Sequence, residues 1–457
     1  MDGRLLAAER RALLPLLVAG CVTGVTTSAS TVHAATVHEI EWTRQLGTPQ
    51  DEFGRGIAVD NLGNLFVTGR TSGSLGGASA GDADAFLAKY DTSGGLIWTR
   101  QLGTSSFDQG WSVVTDATGN AFITGETLGS LGGPHAGEDD AFVAKYDPDG
   151  TLMWTRQLGT SASDRAFGIT GGTSGNIYIT GRTFGSLGGS SAGSNDVFLA
   201  SYDSDGNLRW TEQFGDSGTD RGWAIESDAL ENRFITGYPR GSLGGPNAGG
   251  LDMFIAKYDS DGNALWTRQL GTSETVETGL DLAVDSAGNV ILTGASPGSL
   301  AQPNAGGNDV IVAKYDTDGN QLWVRQMGTT EDDGGFAVTA DSTGGIYVAG
   351  RTLGTLGQAS AGDYDAFVMK LDAAGTQVWT TQFGTANLDW GYAMAIDAAD
   401  NLYLTGETSG PLGGPHVGGA DVFVAKLSVP AAVPAPSAAL AGLALLGGLR
   451  LWLRRRA

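Results

Sequence analysis

The chain has 457 residues, of which 73 are Gly and 13 are Pro. Its 27 basic and 50 acidic residues give a formal net charge of −23, which argues against nucleic-acid binding because contacts to the phosphate backbone depend on Lys and Arg. The single Cys and the four His argue against a disulfide-stapled scaffold, a thiolate zinc site and a histidine-rich catalytic centre.

Residues 1–34 have the pattern of an export signal peptide. A positive N-terminal region precedes an apolar stretch over 12–25, and a small-x-Ala cleavage pattern ends at Ala34. The segment 18–21 also resembles a bacterial lipobox, which would place a lipid on Cys21. Cleavage after Ala34 and lipidation of Cys21 are both open from the sequence, and either one predicts an exported protein.

One motif recurs seven times between residues 35 and 428. The segment Trp-Thr-Arg-Gln-Leu-Gly-Thr returns with little change every 56 or 57 residues, anchored at Trp42, Trp98, Trp154, Trp210, Trp266, Trp323 and Trp379. Each repeat holds four short runs rich in β-branched and aromatic residues, which in the second repeat are 112–116, 121–124, 141–146 and 152–158. Gly-Asn and Asp-x-Asp-Gly turns separate the runs. Four strands per repeat of this length predict the blades of a β-propeller.

The phase of the repeat predicts how the propeller closes. If the strands of a blade are named a to d from the channel outwards, the repeated Trp lies in strand d. The first strand of the chain, 41–46, is then a d strand, and the last, 422–427, is a c strand. Joining these two predicts an all-β, seven-bladed propeller over 35–428, with four antiparallel strands per blade and the N-terminal strand completing the last blade.

The repeat motif resembles a known family. The segment D-x-x-G-N-x-[YF]-x-T-G-x-T, followed by D-x-F-x-A-K-Y-D-x-x-G, is similar to the bacterial beta-propeller repeats called SBBP. The resemblance covers the region between the two terminal segments and implies the propeller fold in an exported protein. Propellers host many unrelated activities, so the family resemblance implies no particular function.

Two series of acidic residues recur in the repeats. The first lies ten or eleven residues after each Trp and comprises Glu52, Asp108, Asp164, Asp220, Glu277, Asp333 and Asp389. The second begins or directly precedes strand c and comprises Asp84, Asp140, Asp196, Asp252, Asp309, Asp365 and Asp421. Both series are predicted on one face of the propeller, beside Gly-rich loops. Asp often accepts backbone N–H bonds that close such loops, while Ca²⁺ binds clusters of oxygens, so loop closure and calcium are the two interpretations; no other cofactor is predicted.

An aromatic position lies just after the first acidic series. It is occupied by Trp111, Phe167, Trp223, Phe336 and Tyr392, with Arg55 and Leu280 in the other two repeats. We predict that this position opens strand a, near the mouth of the central channel. Aromatic side chains beside carboxylates suit sugar or peptide binding, and plain packing beneath the loops is the alternative.

Residues 429–457 have the pattern of a sorting signal. A Pro-rich segment at 433–437 precedes a short apolar stretch over 438–449 and a cluster of arginines. The stretch is shorter than the roughly 20 residues of a membrane-spanning helix. The arrangement resembles the PEP-CTERM signal, which an exosortase removes in Gram-negative bacteria, although Ala435 stands where Glu is usual. The resemblance implies an exosortase-type processing enzyme as a partner, transient membrane association and a cell-surface or extracellular location; a plain membrane tail is the alternative.

No enzyme signature accompanies the repeats. The sequence contains no G-x-S-x-G elbow, no H-E-x-x-H pair and no P-loop, so no catalytic residue is predicted. We therefore predict a non-catalytic exported surface or extracellular-matrix protein, a scaffold that binds a polysaccharide or a protein. The alternative is a secreted polysaccharide hydrolase or lyase, in which the loop-face residues of one blade would break the repeat.

Overall fold

A computed structural model describes residues 39–273 and 276–428, and every structural statement below concerns these residues. The signal-peptide and sorting-signal predictions lie outside them. The described part of the chain folds into strands alone, arranged as seven four-stranded antiparallel sheets. No helix in these two ranges is long and apolar enough to cross a membrane.

The strands follow the repeat. In chain order they are β1 Ile40–Leu46, β2 Glu52–Val59, β3 Leu65–Thr71, β4 Asp84–Tyr90, β5 Leu96–Leu102, β6 Asp108–Thr115, β7 Ala121–Thr127, β8 Asp140–Tyr146, β9 Leu152–Leu158, β10 Asp164–Gly171, β11 Ile177–Thr183, β12 Asp196–Tyr202, β13 Leu208–Phe214, β14 Asp220–Ser227, β15 Arg233–Pro239, β16 Met253–Tyr258, β17 Ala264–Leu270, β18 Thr278–Val284, β19 Val290–Ser296, β20 Asp309–Tyr315, β21 Gln321–Met327, β22 Asp333–Ala340, β23 Ile346–Thr352, β24 Asp365–Leu371, β25 Gln377–Phe383, β26 Asp389–Ile396, β27 Leu402–Thr408 and β28 Asp421–Leu427. Blades 1 to 6 are β2–β5, β6–β9, β10–β13, β14–β17, β18–β21 and β22–β25, each in chain order.

Blade 7 joins the two ends of the propeller. Its strand order is β1-β28-β27-β26, so the first described strand forms the outer edge of the last blade. The strands β1 and β28 pair antiparallel from Leu46 opposite Val422 to Ile40 opposite Leu427. The predicted seven-bladed propeller, closed by its N-terminal strand, is therefore confirmed.

The turns show why Gly and Asp recur in the repeat. In blade 2, Gly119 has φ +82° in the a–b turn and Gly150 has φ +80° in the c–d turn, a region that Gly enters without steric cost. The Oδ1 atom of Asp116 accepts the backbone N–H groups of Thr118 and Asn120 at 2.9 and 3.0 Å, which fixes the a–b turn.

The outer strands tie neighbouring blades together. The Trp98 ring of blade 1 lies 5.9 Å from the Phe66 ring, and its Nε1 donates to the carbonyl oxygen of Pro148 in blade 2 at 3.3 Å. The guanidinium of Arg100 lies 5.1 Å from the centre of the Trp98 ring, and its Nε donates to the oxygen of Gly150 at 2.8 Å. The Arg side chain makes the same bond to the next blade at five junctions, from Arg44, Arg100, Arg156, Arg268 and Arg325, which explains why this residue recurs.

Candidate functional site

The first acidic series anchors the d–a loops. The buried carboxylate of Asp108 accepts the backbone N–H and the hydroxyl of Thr104 at 2.5 and 2.9 Å, and also the hydroxyl of Thr127. Thr104 belongs to the loop that enters strand a, whereas Thr127 ends strand b. The carboxylate therefore holds the loop against the neighbouring strand of its own blade.

The second acidic series anchors the b–c loops. The Oδ2 atom of Asp140 accepts the backbone N–H of Ala136 at 2.8 Å and the Nε2 group of Gln157 at 2.6 Å. Its Oδ1 atom lies close to Gly159, where a Cβ would be 2.0 Å from that oxygen. This close approach explains the Gly that ends the Trp-Thr-Arg-Gln-Leu-Gly motif.

Carboxylates of the two series meet at the blade junctions. At Gly328 an added Cβ would lie 2.1 Å from Asp309 Oδ1 and 3.1 Å from Asp333 Oδ2, so the acids of blades 5 and 6 flank one Gly. The Oδ1 atom is buried without a hydrogen-bond partner among the described residues throughout the second series, at Asp84, Asp140, Asp196, Asp252, Asp309, Asp365 and Asp421. Within the described ranges, no group of three or more His, Cys, Asp or Glu could hold a metal ion. The hydrogen bonds account for the loop-closing role, and calcium binding stays a prediction.

Removal of a second-series carboxylate should destabilise the protein. We expect Asp140→Ala to lower the free energy of unfolding by about 3 kcal/mol, because two donors lose a charged acceptor in a buried position. Denaturant titration measures this loss. The matched control is Asp149→Ala at an exposed turn position, and equal midpoints for the two variants would contradict a structural role for Asp140.

The first series should make stability depend on pH. Burial raises the pKa of Asp220 to about 7, and the carboxylates of Asp216 and Asp196 add to the rise. This pKa lies above the value of about 4 in the unfolded chain. The protonated Asp220 carboxyl therefore adds to the free energy of unfolding in full below about pH 4, and this contribution is lost as the pH rises through about 7. We expect the melting temperature to fall between pH 5 and pH 8 and Asp220→Asn to flatten the fall. Asp205→Asn at an exposed turn is the control, and an unaltered profile in Asp220→Asn would refute the assignment.

A β-bulge lies in strand a of every blade. In blade 2 the β6–β7 register shifts between Gly110 and Ser112, which leaves Trp111 as the extra residue. Such a bulge redirects the side chain of the extra residue. The extra residues of the seven blades, called the bulge ring below, are Arg55, Trp111, Phe167, Trp223, Leu280, Phe336 and Tyr392. They are the aromatic positions of the sequence analysis together with the two departures from them.

The bulge ring lines the central channel. All seven of its residues border one cavity of about 820 Å³. The aromatic ring of Phe167 lies 5.3 Å from that of Trp111 and 4.5 Å from that of Trp223. On the opposite side of the channel, the aromatic ring of Phe336 lies 5.6 Å from that of Tyr392. These contacts form two aromatic arcs. Arg55 and Leu280 separate the arcs.

One level of the channel mouth differs from blade to blade. Two residues before each bulge residue, strand a pairs with strand b, and no two of the seven pairs are alike. This variable tier consists of Phe53/Arg70, Gln109/Glu126, Arg165/Arg182, Arg221/Tyr238, Thr278/Ala295, Gly334/Arg351 and Trp390/Glu407. Residues shared by all blades serve the architecture, so the residues that differ are the ones that can specify a function.

Arginines dominate the variable tier. Among the arginines of the tier, Arg165 forms ion pairs with Glu126 at 2.6 Å and with Asp139, whereas the other four have no carboxylate within 4 Å among the described residues. Glu407 of the tier pairs at 3.7 Å with Arg55 of the bulge ring. The guanidinium of Arg351 lies 3.8 Å from the centre of the Trp390 ring and 4.6 Å from that of Tyr364. The mouth is thus cationic and aromatic in a protein whose net charge is −23.

Two carboxylates lie inside the channel. Glu226 and Asp281, on strands a of blades 4 and 5, border the cavity, and the Asp281 carboxylate accepts the backbone N–H of Val338 at 2.8 Å. Burial raises the pKa of both side chains to about 7, and the charge of Asp281 adds to the rise at Glu226. The sequence patterns do not single out either residue. The signal that identifies them is a break in the repeat, since the corresponding positions of blade 2 hold Val114 and Ser112.

The fold and the repeated residues define a β-propeller repeat protein, and a comparison with protein families agrees. Four segments match the SBBP family, described as beta-propeller repeat, at residues 41–76, 97–132, 322–357 and 378–413. The predicted resemblance is confirmed in these four repeats. The matches do not extend to the terminal segments.

Comparisons with individual proteins show distant similarity. The chain is 26% identical to the regulatory protein FlaEY of Caulobacter vibrioides, over 76% of the chain and 35% of that protein. It is 22% identical to an uncharacterized WD repeat-containing protein of Acanthamoeba polyphaga mimivirus, over 72% of the chain and 31% of that protein. The chain spans about a third of the length of these relatives. Among solved structures, the Neurospora crassa Pan2 WD40 domain matches 86% of this chain and 98% of its own with a TM-score of 0.50 at 10% identity, which shows the fold alone.

Proposed function

We propose that the protein is an exported, non-catalytic binding protein that holds an extracellular polysaccharide at the loop-face mouth of its channel. The observation that carries the proposal is the bulge ring. Each blade redirects one side chain towards a shared cavity of about 820 Å³, and five of the seven side chains are aromatic. A concave site lined by aromatic faces and rimmed by polar groups suits sugar rings, which have apolar faces and polar edges.

We further propose that the three repeats without a family match, which supply strands a to c of blades 3 to 5, are SBBP repeats as well. The sequence patterns at 1–34 and 429–457 support export and sorting to the cell surface, with an exosortase-type enzyme as the processing partner. A nucleic-acid partner is not proposed, because the net charge is −23.

A glycan array probed with the purified full chain tests the proposal. We expect bound glycans, and we expect Trp223→Ala to lower the affinity for them about tenfold or more, because this ring belongs to an aromatic arc. Leu230→Ala, at an 81% exposed position of an a–b turn, is the control. Circular dichroism verifies folding of both variants. Full binding by a folded Trp223→Ala protein would reject the channel mouth as the site.

A second candidate function is cleavage of the bound polysaccharide, by a hydrolase or a lyase reaction. It is favoured by Glu226 and Asp281, two channel carboxylates whose pKa burial raises to about 7, a value that suits proton transfer near neutral pH. Chromatography of array-positive glycans after incubation with the protein tests this candidate. Products that form with the unaltered chain and not with Glu226→Gln would establish it, and unchanged glycans would leave the binding function.

A further inference from the structure

Two arginines of the variable tier lie on opposite sides of the junction between blades 3 and 4. Arg182 lies in strand b of blade 3, and Arg221 lies in strand a of blade 4. Burial lowers the pKa of Arg182 to about 10, and repulsion from Arg221 and then Arg165 adds to the decrease. Burial also lowers the pKa of Arg221. Arg182 lies directly opposite Arg165 in the β10–β11 pair, and the guanidinium of Arg221 reaches across the junction to within 5.4 Å of the Phe167 ring of blade 3. The fold thus gathers like charges in a place that is partly withdrawn from water.

The nearby carboxylates offset only part of the decrease in the pKa of Arg182, and within the described chain they form no ion pair with either arginine. Glu126 and Asp139 both form their ion pairs with Arg165. In the described part of the chain, Arg182 and Arg221 have no carboxylate within 4 Å, and the Nε atom of each is buried without a hydrogen-bond partner. Like charges that are partly desolvated destabilise the folded state. An anion placed between them would remove that penalty.

Three aromatic side chains hold Arg221 beside the residues of the bulge ring. The guanidinium carbon of Arg221 lies 5.1, 5.4 and 5.5 Å from the ring centres of Trp223, Phe167 and Tyr238. Such contacts engage the planar faces of the rings and leave the N–H groups at the edge of the guanidinium available for an acceptor. The paired N–H groups match the two oxygens of a carboxylate.

We propose that Arg182 and Arg221 bind the carboxylate of a uronic acid residue, so that the ligand is an anionic polysaccharide. This proposal rests on the proposed function and specifies its ligand. A sugar ring that carries a carboxylate fits the combination of features here, because its apolar face contacts the Phe167–Trp223 arc while its carboxylate reaches the guanidinium pair. An acidic peptide offers carboxylates and lacks the rigid ring for the arc.

Isothermal titration of the full chain with three probes tests the proposal. The probes are a tetramer of galacturonic acid, the neutral tetramer of galactose and a peptide of six glutamates. We expect the galacturonate tetramer to bind about tenfold or more tightly than the other two, with an affinity that falls as salt increases. We also expect Arg182→Gln and Arg221→Gln each to weaken galacturonate binding about tenfold, and so to remove most of the preference for galacturonate over the neutral tetramer.

Controls separate charge from folding. Arg209→Gln removes an equal charge at an exposed position of outer strand β13 and should leave the galacturonate affinity unchanged. Thermal melting identifies any variant that fails to fold. In that case the salt dependence of galacturonate binding by the unaltered chain decides whether the ligand is recognised by its charge. Equal binding of both tetramers would overturn the anion proposal while the polysaccharide function stands. Preference for the glutamate peptide, or binding of none of the probes together with an empty glycan array, would overturn both.

Discussion

Deletion of residues 40–46 should abolish the cooperative thermal unfolding of the propeller. These residues form β1, which pairs with β28 along its length and supplies the outer strand of blade 7. The Glu41 carboxylate forms an ion pair with Lys426 Nζ at 2.9 Å, and the Trp42 ring lies 6.3 Å from that of Tyr403. Loss of one strand exposes apolar surface worth several kcal/mol, which is comparable to the whole stability of a domain, about 5–15 kcal/mol. Differential scanning calorimetry measures the loss.

Two point variants provide the comparison for this deletion. Trp42 in β1 and Trp98 in β5 occupy the same position, one in the closing blade and the other in a blade formed by consecutive strands. If β1 is an ordinary d strand, Trp42→Ala and Trp98→Ala should each lower the free energy of unfolding by about 3 kcal/mol. A normal melting transition after the deletion, or a large loss in Trp98→Ala alone, would contradict closure through β1.

Gly125→Ala should destabilise the propeller by about 3 kcal/mol or more. This Gly lies in strand b of blade 2 beside the bulge, where an added Cβ would be 1.8 Å from the carbonyl oxygen of Gln109 and 2.8 Å from the Phe142 ring. Neither neighbour can yield easily, since one belongs to the paired backbone of β6 and the other is buried. The free energy of unfolding in urea gives the magnitude.

A Gly in a loop of the same blade serves as the control. An added Cβ at Gly133 would meet its nearest neighbour, the Cβ of Gln157, at an ordinary 3.5 Å, and its φ does not require Gly. Gly133→Ala should therefore unfold at nearly the same urea concentration as the unaltered protein. If Gly125→Ala were equally harmless, the bulge would not depend on a glycine in the neighbouring strand.

The repeats made the fold predictable, because seven copies of one pattern report the same strands and turns. The start of strand a was predicted wrongly. The run predicted to begin at 112 is part of β6, which begins at Asp108. The bulge at Trp111 interrupts the alternation of inward and outward residues, so the residues before it do not show a strand pattern. The aromatic position therefore lies within strand a and does not open it.

The candidate site was less predictable for a related reason. Repetition draws attention to residues such as Asp140, whose hydrogen bonds explain why every blade needs them. Arg182, Glu226 and Asp281 occur where the blades differ, and their importance depends on neighbours from adjacent blades. Those neighbours become known only once the register of each sheet and the order of the blades are fixed.

The seam in blade 7 also has a consequence for the order of folding. Its outer strand is the first of the described strands to be synthesised, and its partner β28 is the last. Until β28 is made, the unclosed arc of blades exposes an unpaired edge in β27 and an uncovered blade face. Contacts between such distant parts of a chain form slowly, so the nascent protein stays prone to pairing with other chains until the ring is complete.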